Sequence, residues 1–215
     1  MTRILFINPN STEAMTEAMV EAARAAVPGP EVIGWTNAEG PAVIPGEEDG
    51  AAAVPGILAR LPAARAAGAE AIVIGCFDDT GLAEVRAAAH CPVIGIGQAA
   101  FHVAALLGAR FSVVTTLAVS VPVIEANIAA YGLAGACARV RASGIPVLDL
   151  EPASAATIER LVAALALAEA EDAPAALVLG CAGMAPLAGP LQPRLRARLV
   201  DGVAAAARLS VALAA

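Results

Sequence analysis

Two segments of the chain, at residues 71–82 and 176–187, are near-copies of each other. The first reads AIVIGCFDDTGL and the second ALVLGCAGMAPL, so that each apolar run ends in Gly-Cys. The two cysteines, Cys76 and Cys181, are separated by about half the chain length. A second pair, RILFINPNST at 3–12 and RFSVVTTLAVS at 110–120, has almost the same offset. Repetition at one offset predicts a duplicated fold with one thiol in each half.

Charge and composition narrow the classes of partner. The formal net charge of −7 argues against a nucleic-acid surface, which would need clustered basic side chains. The uncharged stretch 173–193 contains four prolines and three glycines, which favours a strand, a turn and a short helix over a membrane span. The first three residues lead directly into a strand pattern without a secretory signal. We therefore expect a cytoplasmic protein that acts on a small molecule. Its alanine-rich exposed helices favour a homo-oligomer.

The basic residues restrict the chemistry further. All 13 are arginine, so a lysine Schiff base with pyridoxal phosphate is impossible. The only histidines, His90 and His102, have no ligand-like spacing to cysteines or acids, which argues against a metal site. His102 is interpreted as a core or boundary histidine. We expect no cofactor and no metal, and chemistry based on thiols, carboxylates, hydroxyls, amides and backbone dipoles.

Strand-like and helix-like runs alternate along the chain, which predicts an α/β fold with mostly parallel sheets. The predicted strands are 3–7, 31–36, 71–75, 92–96, 110–114, 136–141, 145–149 and 175–180. The predicted helices are 11–26, 51–66, 80–89, 97–107, 119–131, 154–171 and 194–212.

The duplication predicts two pseudo-symmetric lobes with the active site between them. We place lobe A at residues 1–96 and lobe B at 97–195, and expect a C-terminal helix, about 196–215, to pack back on lobe A. The loop 37–50 is rich in glycine, proline and acids, and we expect it to overhang the cleft.

Four predicted strand ends carry polar or nucleophilic groups. In parallel α/β sheets, ligands bind beyond the carboxyl ends of the strands. Asn8 to Ser11, Cys76 to Asp78, Thr115-Thr116 and Cys181 to Gly183 all occupy such positions. Two interpretations of the polar residues stay open. Asn10 and Asp78 either contact the substrate or cap a helix, and Thr115-Thr116 either contact the substrate or satisfy a strand end.

The four cysteines fall into two classes. Cys91 and Cys137 lie near predicted strand starts and are interpreted as core residues, as most cysteines are. Cys76 and Cys181 each follow a glycine at a strand end and precede a predicted helix, where a thiolate is stabilised by backbone N–H groups. A disulfide between Cys76 and Cys181 is the alternative, although a reducing cytoplasm disfavours it.

Five segments make the chain resemble the aspartate/glutamate and hydantoin racemase superfamily, most of all its hydantoin and allantoin racemase branch. They are LFINPNST at 5–12, VIGCFDD at 73–79, VIGIGQAA at 93–100, VVTTLAVSVPVIE at 113–125 and VLGCAGM at 178–184. The resemblance implies that one cysteine removes the proton from a stereogenic carbon and the other reprotonates it from the opposite face, without cofactor or metal. It also implies substrate contacts from the backbone around Phe77, Asp78, Ala182 and Gly183, and from Asn10, Thr115 and Thr116.

The sequence also departs from the branch. Many hydantoin racemases have glycine where this chain has Asp78, and Gln98 stands at a position often held by glutamate. The acids and histidine that assist the amino-acid racemases have no clear match, which favours a neutral cyclic substrate. The segment CFDD at 76–79 favours a polar ureide, such as allantoin, as the substrate. Because Asp78 and Asp79 follow Cys76 while no acid follows Cys181, we expect Cys181 to ionise more readily.

Several other functions stay open on the same scaffold. They are a maleate-type isomerase, a malonate decarboxylase, an amino-acid racemase, and a non-catalytic protein that binds a small ligand. GIGQAA at 95–100 fits a dinucleotide motif, but no acid occurs between residues 85 and 124 to bind the ribose. We interpret Gly95 and Gly97 as positions that permit a tight crossover between lobes.

Overall fold

Across residues 2–108, 110–150 and 152–214, which this computed structural model describes, eight strands form two parallel sheets of four. The first sheet contains β1 (Arg3–Asn8), β2 (Glu31–Thr36), β3 (Ala71–Ile74) and β4 (Val93–Gly95), and the second β5 (Phe111–Thr115), β6 (Cys137–Ala142), β7 (Ala176–Gly180) and β8 (Arg198–Asp201). Their spatial orders are β2-β1-β3-β4 and β6-β5-β7-β8, so the two sheets have the same topology. The predicted pair of parallel α/β halves is confirmed.

Helices flank both sheets. They are α1 (Glu13–Ala26), α2 (Glu47–Ala59), α3 (Leu61–Ala66), α4 (Leu82–Ala88), α5 (Ile96–Leu107), α6 (Val121–Ala130), α7 (Ala155–Asp172), α8 (Ala188–Leu191) and α9 (Gly202–Leu213). Short 3₁₀ helices lie at Ala118–Ser120, Val147–Asp149, Ala182–Leu187 and Gln192–Arg194. Helix α5 connects β4 of the first sheet with β5 of the second. In the described part of the chain, no helix is both long enough and apolar enough to span a membrane.

Two predicted elements are wrong. The strand predicted at 145–149 is a loop followed by the 3₁₀ helix Val147–Asp149, because Pro146 has no N–H for a ladder and the buried Ile145 packs under α7. The helix predicted at 194–212 begins only at Gly202, and β8 precedes it. Asp201 marks that boundary, since its carboxylate accepts hydrogen bonds from Val203 N and Ala204 N at 3.0 Å each. In addition, α2 begins at Glu47, inside the predicted loop 37–50.

The two sheets share one apolar core, with Phe101 of α5 in it. The Phe101 ring is fully buried, lies edge-on to Phe77 at 5.4 Å between centroids and stacks on Phe111 at 6.1 Å. Phe77 follows Cys76, whereas Phe111 begins the central strand of the second sheet. Helix α9 covers this core and contacts α1, α5 and β3. A shared core defines no domain boundary by itself, so the division at residues 96 and 97 stays a prediction.

Loss of the Phe101 ring should destabilise the whole molecule. We expect Phe101→Ala to lower the free energy of unfolding by about 3–5 kcal/mol, because the ring leaves a cavity between the two sheets. The control is Leu167→Ala on α7, since Leu167 is 51% exposed. That substitution should change the free energy of unfolding by no more than about 0.5 kcal/mol, measured by urea unfolding at constant m-value. Equal effects of the two variants would contradict a core role for Phe101.

Candidate active site

Both motif cysteines follow the carboxyl end of an inner strand. Strand β3 ends at Ile74, and Gly75 and Cys76 come next, whereas β7 ends at Gly180 directly before Cys181. The amide of Gly75 donates to Ile7 O at 2.8 Å, which extends the β1–β3 ladder to the cysteine. The equivalent Gly180 is in register with Thr115 of β5. The sequence repeat is therefore a structural repeat, with one thiol at the same edge of each sheet.

Glycine is required before each cysteine by close packing. A Cβ atom on Gly75 would lie 2.5 Å from Met19 Sδ and 3.2 Å from Ile7 O. A Cβ atom on Gly180 would lie 2.8 Å from Thr115 Cα and 3.0 Å from Val114 O. Distances below about 3 Å are shorter than van der Waals contact permits. A side chain at Gly180 would therefore push β7 away from β5, whereas one at Gly75 would displace the end of the Met19 side chain and crowd Ile7 O.

Both cysteines line one small cavity between the two sheets, with a volume of about 40 Å³. Its walls are Asn10, Met15, Ile44, Gly75, Cys76, Phe77, Asp78, Thr115, Thr116, Ser120, Val147, Gly180, Cys181 and Ala182. Eight of the nine predicted site residues are in this set. Gly183 does not line the cavity. It lies close to a motif cysteine, because a Cβ atom built on Gly183 would be 3.8 Å from Cys181 Sγ.

The thiol of Cys76 is held in its neutral form. Burial raises the pKa of Cys76 far above its usual value, and the negative charge of Asp78 raises it further. The Thr80 hydroxyl and the backbone N–H of Asp78 lower the pKa, and a negative charge on Cys181 raises it again. The two cysteines are thus close enough for their charges to interact. None of the four cysteines, all of which lie in described ranges, forms a disulfide, and Cys76 and Cys181 are half-buried.

Asp78 brings a carboxyl group into the cavity wall. Burial raises the pKa of Asp78 to about 7. Its Oδ2 atom is fully buried and has no hydrogen-bond partner among the described residues. Among the described residues that line the cavity, no side chain is cationic. A buried carboxyl oxygen without a hydrogen-bond partner destabilises the folded state unless another group compensates for it.

The other predicted polar residues have defined local partners. Asn10 is 8% exposed, and its Oδ1 accepts from Asn8 Nδ2 and Thr12 N at 2.9 Å each. Its Nδ2 contacts Met15 Sδ at 3.5 Å, which is a weak interaction. Thr115 Oγ1 donates to Gly180 O at 2.9 Å and so ties the central strand to β7. The strand-end interpretation of Thr115 therefore has a specific contact, and Thr115 still lines the cavity.

The remaining cysteines and histidines lie elsewhere. Cys91 and Cys137 pack against core clusters, and burial raises the pKa of both, to about 11 for Cys137. His90 Nε2 bonds to Ala69 O at 2.8 Å, and His102 Nδ1 to Gln98 O at 2.7 Å. Among residues 2–108, 110–150 and 152–214, no group of three or more His, Cys, Asp and Glu side chains could hold a metal ion.

The chain that forms this cavity is similar in sequence to proteins of a described family. The sequence profile of the family described as Asp/Glu/Hydantoin racemase matches residues 4–210. The chain belongs to this racemase family. It is 44% identical to the hydantoin racemase of Rhizobium meliloti over 211 residues, which are 98% of this chain and 88% of that protein.

Solved racemase structures have the same fold as this family member. Allantoin racemase from Klebsiella pneumoniae superimposes with a TM-score of 0.95 at 40% identity, covering 99% of this chain and 87% of that one. Allantoin racemase from Pseudomonas fluorescens superimposes with a TM-score of 0.91 at 35% identity, covering 99% and 90%.

Four cavity side chains of this racemase family member were not predicted from the sequence. They are Met15, Ile44, Ser120 and Val147. Met15 lies in the first turn of α1, and Val147 lay in the wrongly predicted strand. Ile44 belongs to the loop that was expected to overhang the cleft, and Ser120 holds that loop from the other half through a 3.0 Å bond to Pro45 O. Ser120 ends the repeated segment 110–120, which was the available signal.

The two motif cysteines lie at different distances from the helix that follows them. Cys181 directly precedes the 3₁₀ helix Ala182–Leu187, as expected for a thiol at a helix start. Cys76 does not, because a turn follows it and α4 begins only at Leu82. Its thiolate therefore relies on the loop itself, through the Asp78 N–H and the Thr80 hydroxyl.

Removing the charge of Asp78 should make Cys76 more reactive. In a Cys181→Ser background, we expect Asp78→Asn to lower the pKa of Cys76, because a neighbouring negative charge is removed. Site-resolved iodoacetamide alkylation at pH 8 should then be roughly three- to tenfold faster at Cys76, since the thiolate is the nucleophile. Glu17→Gln, which removes an exposed carboxylate from α1, is the control and should leave the rate unchanged. An unchanged or slower rate in Asp78→Asn would refute the electrostatic coupling.

Proposed function

We propose that the protein is a cofactor-independent racemase that inverts the stereocentre of a 5-substituted hydantoin or an allantoin-like cyclic ureide. The observation that carries this proposal is the pair of thiols, Cys76 and Cys181, one from each sheet, in the wall of a single cavity. Inversion of a carbon centre requires a base on one face and an acid on the other. Two thiols from repeated halves meet that requirement without a third group.

The proton transfers balance within the pair. One cysteine enters as thiolate and takes the proton from the stereogenic carbon, and the other enters as thiol and gives its proton to the opposite face. After turnover the two protonation states are exchanged, so the reverse reaction starts from the product form. The raised pKa of Cys76 favours the resting form in which Cys76 is the thiol. In this form Cys181 acts as the base, and its readier ionisation stays a prediction.

The carbanion next to a carbonyl needs hydrogen-bond donors for its developing negative charge. Backbone N–H groups at Phe77 and Asp78, and at Ala182 and Gly183, are the proposed donors. Asn10 is the proposed side-chain donor, because its Nδ2 has only the weak contact to Met15 Sδ. Thr115 and Thr116 are proposed to position the ring from the second sheet.

The cavity favours a neutral substrate over an amino acid. Among its described lining residues none is cationic, and Asp78 contributes a carboxyl group. A substrate carboxylate would have no counter-ion and would face a second acid, which costs free energy in a buried site. A ring N–H of a cyclic ureide can instead donate to Asp78 Oδ2. The same argument disfavours the dicarboxylate substrates of a maleate-type isomerase or a malonate decarboxylase.

The apolar part of the wall fits the remainder of such a substrate. Met15, Ile44 and Val147 are the larger aliphatic side chains of the cavity, and they complement an alkyl or thioether substituent at the stereocentre. Ile44 is 8% exposed and belongs to the loop between β2 and α2, which joins the two halves through Ser120. This loop is proposed to close over the substituent.

We also propose that the protein acts in the cytoplasm and forms a homo-oligomer. A reaction that needs two reduced thiols is compatible with the reducing cytoplasm, and none of the four cysteines forms a disulfide. Exposed leucines at the ends of two neighbouring helices, Leu106 and Leu107 of α5 and Leu213 of α9, supply apolar surface for a homo-oligomer. Light scattering at several protein concentrations would measure the number of subunits.

Either motif cysteine should be essential, and the other two should not. In deuterated water, we expect the wild type to racemise a 5-substituted hydantoin or allantoin with deuterium at the stereocentre. Cys76→Ser and Cys181→Ser should each lower kcat by at least about 10³-fold, because one proton transfer loses its carrier. Cys91→Ser and Cys137→Ser are matched controls and should keep activity within about threefold. Binding without deuterium exchange would favour the non-catalytic alternative.

A substrate panel should separate neutral rings from amino acids. We expect polarimetry to detect racemisation of 5-alkylhydantoins or allantoin, and rates at least about 10²-fold lower with aspartate or glutamate, which place a carboxylate beside Asp78. Asp78→Asn should narrow that gap by relieving the repulsion. Faster turnover of either amino acid by the wild type would overturn the assignment of substrate class.

A further inference from the structure

The loop that carries Cys76 is held by a helix from the other half of the repeat. Asn127 of α6 donates from Nδ2 to Asp78 O at 2.8 Å. Tyr131, which follows α6, donates from its hydroxyl to Asp79 Oδ2, also at 2.8 Å. Helix α6 connects β5 with β6 of the second sheet, whereas Cys76 follows β3 of the first. Two side chains of the second half therefore fix the cysteine loop of the first.

Asp79 links these contacts to the cysteine. Its backbone has φ of 51°, in the left-handed region that a non-glycine residue adopts only under constraint. Its N–H donates to Cys76 O at 3.1 Å and closes the turn after the cysteine. Its carboxylate accepts from Gly97 N at 3.0 Å and from Gln98 N at 2.7 Å, in the first turn of α5. The Asp79 carboxylate therefore has three donors, two from α5 and one from Tyr131.

The glycines of the motif at 95–100 exist for this carboxylate. A Cβ atom on Gly95 would overlap Asp79 Oδ1, and one on Gly97 would lie 2.9 Å from Oδ2 and 2.3 Å from Phe77 O. These positions can carry no side chain while Asp79 occupies its place. This motif resembles a dinucleotide-binding sequence, but here it leaves space for the Asp79 carboxylate at the start of α5.

We propose that Asp79, Asn127 and Tyr131 are positioning residues that together hold Cys76 at its working distance from Cys181. We name these three residues the Cys76 clamp. The assignment of Cys76 as an acid/base group rests on the function proposed above, whereas the clamp itself rests on the contacts. A thiol that exchanges a proton with carbon must be placed to a fraction of an ångström, and misplacement by about 1 Å can lower a rate about 10²-fold.

The clamp acts on one cysteine only, which makes it testable. Its hydrogen bonds end on Asp78, Asp79 or the first turn of α5. Cys181 is instead followed directly by the 3₁₀ helix Ala182–Leu187, where Met184 N donates to Cys181 O at 3.1 Å. Loss of a clamp contact should therefore change the accessibility and reactivity of Cys76 and leave Cys181 as an internal reference.

Tyr131→Phe removes a single contact of the clamp. The Tyr131 ring packs 6.3 Å from Phe101 and 6.1 Å from His102 between centroids, and phenylalanine preserves that packing. We expect iodoacetamide to alkylate Cys76 at least about fivefold faster in this variant and Cys181 at a rate within about twofold of wild type, because the loosened loop exposes one thiol only. With a racemised substrate, kcat should fall about tenfold while KM stays within about threefold.

A second variant and a control make the result decisive. Asn127→Ala removes the other contact from α6 and should give the same selective change at Cys76, on a helix where alanine is well tolerated. Ser112→Ala removes a buried hydrogen bond of similar length, 2.8 Å to Asp172 Oδ2, and should leave both cysteines and kcat as in the wild type. Peptide mass spectrometry gives the alkylation rate of each cysteine.

The outcomes separate the clamp from the proposed function. Unchanged alkylation of Cys76 in both clamp variants would overturn the clamp, as would an equal rise at Cys76 and Cys181 that reports a general loosening. These alkylation results need no substrate. If the wild type racemised no cyclic ureide while Cys76 alone became more reactive in the clamp variants, the proposed function would fail and the clamp would stand.

Discussion

The backbone contact of each inner strand with its neighbour is the constraint on which the site depends. Gly75 and Gly180 end these contacts, since a Cβ atom on Gly75 would lie 3.2 Å from Ile7 O and one on Gly180 would lie 2.8 Å from Thr115 Cα. Each cysteine is therefore presented at the first position where the chain is free to leave the sheet. Since both sheets have the same strand order, both thiols reach the cavity from equivalent edges.

The equivalence of the two halves ends at the residues after the cysteines. Cys76 is followed by a phenylalanine and two aspartates, whereas Cys181 is followed by alanine and glycine. Burial and the Asp78 charge raise the pKa of Cys76, so the neutral thiol is favoured on that side. Because two enantiomers have equal free energies, this asymmetry cannot bias the equilibrium between them. In the proposed mechanism it decides instead which protonation form the enzyme has before the substrate binds.

The sequence was sufficient for the parts of the fold that repeat. Gly-Cys at two strand ends, with a matching offset in the preceding strands, predicted two parallel halves, and eight of the nine predicted site residues line one cavity. It was insufficient where long-range packing decides. The run 145–149 has apolar residues like a strand, but Pro146 and the packing of Ile145 under α7 make it a loop that brings Val147 to the cavity. Residues 198–201 were predicted to be helical but form β8, and only the helix cap at Asp201 marks the boundary between β8 and α9.

Contacts made by polar side chains over long sequence distances were equally hidden. Tyr131 and Asp79 are 52 residues apart, and nothing in either local pattern indicates that they meet. The glycines at 95 and 97 were interpreted as a means to cross tightly between lobes, and packing adds a second reason, since a Cβ atom on Gly95 would overlap the Asp79 carboxylate and one on Gly97 would overlap Phe77 O. A sequence shows where glycine leaves out a side chain, but it does not show which group of the protein occupies that space.

The unfavourable features of the fold concentrate beside Cys76. Within the described part of the chain, the buried Oδ2 atom of Asp78 has no hydrogen-bond partner. The next residue is Asp79, with its left-handed backbone. A buried polar group without a partner costs about 1–3 kcal/mol, and a strained backbone position costs about as much. A loop whose only task was to connect β3 with α4 would have no reason to combine both. A loop that must hold a neutral thiol, offer an acceptor to a ligand and keep both in register with a second sheet has a reason for each.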